Sequence, residues 1–166
     1  LSDDVAQDDS DFDSELPDID GEDVEDFDPD YTPRIAILGA GPVGLEAALY
    51  GRYLGYQVVV LEKESVAHNV VSWGHVRMFS PFAMNRTALG VAALQAQHDQ
   101  FAWPEDNALL MGHEFAEQYL LPLSQSDLLS DCIHEHVEVL SVARDGIIKS
   151  DQSIDRSDYQ FRILVR

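Results

Sequence analysis

A chain of 166 residues suffices for one ordinary domain and is short for two, and its 45% apolar content allows a packed core. The net charge of −21 is unevenly placed: 15 of the 31 acidic residues fall in the first 30 positions, and no Lys or Arg precedes Arg34. The rest, with 16 acidic and 10 basic residues, offers no basic patch to displace counterions, so nucleic acid is excluded as an expected partner.

Residues 1–32 form an acidic tail with few apolar side chains, and such a segment is expected to stay disordered. The spacing of Asp18, Asp20 and Glu22 loosely resembles a calcium loop, but the glycine and the bidentate glutamate of that loop are missing, so no calcium is expected. The start of the chain is acidic, without the apolar core of a secretory leader. No run of about 18 apolar residues suggests a membrane span. Cys132 is the single cysteine, which rules out an intrachain disulfide, and a cytoplasmic location is the expectation.

Pro33 closes the acidic segment, and residues 34–38 (Arg-Ile-Ala-Ile-Leu) read as a short buried strand. Gly39-Ala-Gly-Pro-Val-Gly44 follows at once, then a helical pattern over residues 45–54 closed by Gly55. A second β-branched run, residues 57–61, ends in Glu62. Strand, glycine turn, helix and strand within about 29 residues make a βαβ unit with parallel strands. Residues 63–110 are irregular and aromatic, apart from a helix expected over residues 88–97. A helix over residues 114–121 should stop before Pro122, with a short helical turn near 125–130. Residues 136–143 alternate as a strand, Asp145-Gly146 signals a turn, 150–158 form a loop and 159–165 a further strand.

The spacing of the glycines carries the chemistry. Gly39 permits the tight turn out of the strand, Gly41 lets backbone approach a pyrophosphate, and Gly44 lets the helix pack closely on the sheet. Ala48 and Gly51 continue that small-residue face. Pro42 falls in the first helical turn, where its missing N–H costs little. The helix N-terminus offers unpaired N–H groups to phosphate oxygens. Glu62, 18 residues past Gly44, can accept hydrogen bonds from both hydroxyls of an adenosine ribose and would repel a 2′-phosphate. The fingerprint serves NAD and FAD alike, and the long aromatic insertion after Glu62 favours FAD.

Residues 35–46 and 58–62 resemble the N-terminus of flavoproteins with two dinucleotide-binding domains, a group that includes the flavin-containing monooxygenases and the pyridine-nucleotide disulfide oxidoreductases. The segment 137–146 resembles the strand of those enzymes whose backbone contacts the adenine, and Val137 is the residue so placed. The resemblance, over residues 33–166, implies an α/β, Rossmann-like FAD/NAD(P)-binding domain with a parallel sheet and a β-meander. It implies FAD as cofactor, NAD(P)H as co-substrate and a small-molecule substrate. Cofactor binding is carried onto Gly39, Gly41, Pro42, Val43, Gly44, Glu62, Lys63, Trp73, Arg77 and Val137. The usual Gly-Gly pair after the ribose acid is replaced by Val71-Ser72-Trp73-Gly74, and no Cys-x-x-x-x-Cys pair exists, which removes the disulfide-reductase reading. The later Ala-Thr-Gly motif and the second glycine fingerprint are also missing, so either the chain is part of a longer enzyme or it cannot perform the full reaction.

The expected activity is thus an FAD-dependent oxidoreductase of monooxygenase type, with an NAD-dependent dehydrogenase and a non-catalytic nucleotide-binding module as alternatives. No catalytic acid or base can be named. His75, Arg77, Asn85 and Arg86 are loop candidates for the flavin side, with ordinary packing the competing reading. Cys132, His134 and His136 alternate, but lack a fourth ligand for zinc. Phe115, Tyr119 and Leu120 have the spacing of a core helix face.

Overall fold

The computed structural model describes residues 32–97, 101–148, 150–151, 155–157 and 159–166. The acidic segment 1–31 with its calcium-like spacing, and part of the expected loop 150–158, lie outside the described residues.

Strand β1 (Arg34–Leu38), helix α1 (Pro42–Tyr53) and strand β2 (Gln57–Leu61) form the expected βαβ unit, β1 and β2 pairing in parallel from Arg34 opposite Gln57 to Leu38 opposite Leu61. A two-residue strand, β3 (Ile133–His134), adds to β2 in parallel and gives the order β1-β2-β3. The expectation of a fully buried first strand is corrected. β1 lies at the sheet edge and turns Ile35 and Ile37 toward α1, while Ala36 and Leu38 face outward and Leu38 is 52% exposed. Apolar composition alone does not tell a buried strand from an edge strand covered on one face.

Helix α1 starts at Pro42, three residues earlier than its apolar pattern suggests, because proline at the first helical position needs no hydrogen-bond acceptor. Gly55, at φ +87°, closes it. Between β2 and β3 the chain builds α2 (His68–Ser72), a 3₁₀ turn (Phe82–Met84) and α3 (Ala88–Gln97). A longer helical run follows in three contiguous pieces: α4 (Gly112–Phe115), a π-helical turn (Ala116–Leu120) and α5 (Leu121–Ser124). The run therefore passes through Pro122 where a stop was expected. The wider π turn delivers the chain so that Pro122 sits at the start of α5, where its missing N–H is tolerated. Residues 125–130 are turns and not a helix.

The expected strand 136–143 is also corrected. His136 takes a left-handed φ of +60°, which breaks the strand after β3, and β4 (Val139–Arg144) begins beyond it. β4 pairs antiparallel with β5 (Phe161–Val165), with a bulge between Val139 and Ser141. The core gathers Leu45, Leu49, Val60, Phe82, Leu94, Tyr119, Leu120, Leu123 and Leu129, all essentially inaccessible. Among the described residues, no helix is long and apolar enough to cross a membrane.

Candidate functional site

The three glycines of the first turn differ in what they need. Gly39 has φ +101°, a conformation that side chains disfavour, and its N–H bonds the Leu61 carbonyl at 2.8 Å. A Cβ on Gly44 would lie 2.0 Å from the Gly39 carbonyl oxygen, so helix and turn touch only because that carbon is absent. Gly51 repeats this one face along, where a Cβ would meet the Val58 side chain at 2.9 Å. Gly41 has neither constraint. Its φ of −82° and ψ of −176° suit any residue, and a Cβ there would meet no atom within 4 Å. Neither backbone geometry nor packing within the protein requires a glycine at this position.

Glu62 ends β2 beside this turn. Its Oε2 accepts from the Ala40 N–H at 2.7 Å and its Oε1 from the Glu64 N–H at 2.9 Å. Each carboxylate oxygen retains capacity for a further donor. The backbone of Glu62 is fixed as well: its N–H bonds the His134 carbonyl at 2.9 Å and its carbonyl accepts from Val137 at 2.8 Å. The left-handed His136 makes this possible, since the turn there brings Val137 back toward Glu62.

These pieces enclose an open cleft of about 290 Å³ lined by Leu38, Gly39, Leu61, Glu62, Lys63, Val137, Glu138 and Val139. Gly39, Glu62, Lys63 and Val137 are thus brought together from three separate stretches of sequence. Pro42, Val43 and Gly44 form the first turn of α1 immediately behind Gly39-Ala40-Gly41, with Val43 83% exposed. Lys63 pairs with Glu138 at 3.0 Å, and Glu138 also takes the Arg166 guanidinium. Together these two cations hold the Glu138 carboxyl below the usual carboxylate range. Sequence reasoning missed Glu138; its position next to Val137 was the available signal.

Trp73 and Arg77 do not line this cleft. The Trp73 indole lies over Gly112, where a Cβ would come within 2.5 Å of the ring. Arg77 forms an isolated bridge with Met111 and donates to the Leu109 carbonyl at 3.2 Å. Asn85 ties down the 80–85 turn through Ser80 and Pro81. Arg86 pairs with Asp106 at 2.6 Å and covers the Phe82 ring. His75 is exposed. Cys132 is buried and bonded to the Leu129 carbonyl, and burial raises its thiol pKa. Among the described residues, no group of three His, Cys, Asp or Glu is placed to hold a metal.

Behind α1 lies a polar contact absent from the sequence reading. Tyr119, on the π turn, is fully buried and donates to Glu46 Oε1 of α1 at 2.5 Å. Glu46 Oε2 accepts from the Thr87 hydroxyl at 2.7 Å, and the Thr87 backbone N–H donates to the Tyr119 hydroxyl at 3.3 Å, closing a ring of three residues. Burial first, then the bond to Glu46, push the Tyr119 pKa well above its ordinary value of 10.0.

No family model matches the sequence, and no curated protein matches it. Solved structures do. A steroid monooxygenase in its oxidised form bound to NADP shares 21% identity at a TM-score of 0.52, over 69% of this chain and 21% of that one. The bacillithiol disulfide reductase Bdr (YpdA) from Staphylococcus aureus shares 20% at 0.50, over 81% and 33%. OTEMO in complex with FAD and NADP shares 15% at 0.53, over 81% and 23%. The chain thus spans between a fifth and a third of the length of these structures. The likeness establishes a Rossmann-like α/β fold.

Proposed function

We propose that this chain is the adenosine- and pyrophosphate-binding part of an FAD-dependent oxidoreductase of monooxygenase type. The observation that carries the reading is Gly41: a glycine that neither conformation nor packing requires, at the mouth of the α1 N-terminus. A residue kept small where nothing within the protein crowds it leaves room for an incoming group. The helix N-terminus behind it suits an anion, because first-turn N–H groups have no intrahelical acceptor. Glu62 supplies the second half of the argument, held at the cleft by two backbone donors and able to accept from ribose hydroxyls.

In this reading the backbone at Gly41, Pro42, Val43 and Gly44 receives the pyrophosphate, Glu62 binds the ribose, and the main chain at Val137 faces the adenine. The Val137 N–H is committed to Glu62, so its carbonyl is the group left for an exocyclic amine. A flavin held there would supply the hydride and electron chemistry between NAD(P)H and oxygen or another acceptor. This chain's own residues bind and orient. The neighbours solved with FAD or NADP support the reading by fold.

Purified full-length protein is expected to show the visible absorption of an oxidised flavin and to release FAD on denaturation. Charge reversal, Glu62→Lys, should abolish that absorption while leaving the protein folded. A colourless protein that stays colourless after addition of FAD refutes the proposal.

A further inference from the structure

The rim of the cleft carries charges that the dinucleotide reading leaves unused. Lys63 directly follows the ribose acid and lines the cleft. A cation near this acid is the usual means of neutralising a 2′-phosphate. Here its ammonium is engaged, 3.0 Å from Glu138 Oε1, while Glu138 Oε2 takes Arg166. Glu138 itself is well anchored. Its N–H and carbonyl both pair with the Arg166 backbone at 2.9 Å, and its side chain is only 24% exposed against 60% for Lys63. The carboxylate is therefore the fixed partner and the lysine the restrained one. A nucleotide entering the cleft meets the Glu62 carboxylate and, beside it, a lysine whose charge is already taken up by Glu138.

We propose that Glu138 is a specificity-determining residue: by restraining Lys63 it makes the cleft accept an adenosine with a free 2′-hydroxyl and reject one with a 2′-phosphate. This rests on the dinucleotide reading of the cleft. Removing the Glu138 charge deletes a repulsion and releases two cations, Lys63 and Arg166, of which Lys63 lines the cleft and lies within the range where Coulomb interaction remains appreciable.

The test uses full-length protein cleared of bound nucleotide by dialysis against concentrated potassium bromide, titrated with ADP and with 2′,5′-ADP. Unaltered protein should prefer ADP. Glu138→Gln, which keeps the shape, should shrink that preference about tenfold, and adding Lys63→Met to Glu138→Gln should recover the part of it that the released lysine removed. ADP binding with an unchanged preference in Glu138→Gln overturns the inference alone, and so does a preference equally narrowed with and without Lys63. Failure of unaltered protein to bind either nucleotide overturns the dinucleotide reading and the inference with it.

Discussion

Helix α1 is gripped on two sides by opposite means. Toward the sheet the grip works by omission: Gly44 and Gly51 have no Cβ, and the helix drops onto the Gly39 carbonyl and the Val58 side chain. Toward the segment 63–124 it works by addition, with Glu46 receiving the hydroxyls of Tyr119 and Thr87. Even there a glycine yields space, since a Cβ on Gly90 would lie 2.0 Å from the Tyr119 hydroxyl oxygen. The contrast shows that the same helix can be positioned by close backbone approach, which tolerates no added atom, and by buried hydrogen bonds, which tolerate no missing partner.

The sheet side should break hardest. Gly44→Ala puts a methyl group 2.0 Å from a carbonyl oxygen, and neither helix nor turn can yield without losing the parallel pair beneath them. A loss of about 3 kcal/mol or more is expected, a large share of the stability of an ordinary domain. Urea unfolding followed by circular dichroism measures it. A variant with the parent's midpoint would show that the close approach at Gly44 is not required.

The two sides were unequally legible, for a physical reason. The sheet-side grip lies within one βαβ unit, where glycine, proline and acid have fixed offsets, so Gly39, Pro42, Gly44 and Glu62 could be placed from spacing alone. The other grip joins Glu46 to Tyr119 and Thr87, 73 and 41 residues away. Tyr119 was legible as a core residue, and it is buried, but its hydroxyl had no local signal. The π turn that carries it follows from tertiary packing, and so does the passage of the helix through Pro122. The cleft was half legible: Glu62 and Val137 could be matched to a family pattern, whereas Glu138 required the fold that brings it to Lys63.

A smaller effect is expected on the hydrogen-bonded side. Tyr119→Phe keeps the ring, with its edge-on contact to Phe82 and its stacking on Phe115, and removes one donor to a carboxylate. A cost of about 2 kcal/mol is expected, read as a lower urea midpoint at unchanged slope. The pH dependence has a definite sign. Folding raises the Tyr119 pKa above 10.0, so its contribution is complete below pH 10.0 and is lost as pH rises toward the folded value. The parent and the Phe variant should therefore converge in stability in alkali. A constant difference between them across that range would show that the hydroxyl does not supply it.

The smallest effect on stability is expected at Gly41, and it is the most informative about function. Alanine there has an ordinary extended backbone and meets no atom within 4 Å. Unfolding free energy should change by less than about 0.5 kcal/mol, since the site lacks every mechanism by which substitutions destabilise strongly. Flavin binding should nevertheless fall at least about tenfold, because the methyl group would occupy the space through which backbone meets pyrophosphate. Gly44→Ala and Gly41→Ala thus form a pair three residues apart, one expected to lose stability and the other its ligand. Measuring FAD retention and urea midpoint together on both separates the two roles. If Gly41→Ala retains flavin as tightly as the parent, the open space at that residue is not where the phosphates bind, and the cofactor site must be sought elsewhere on the fold.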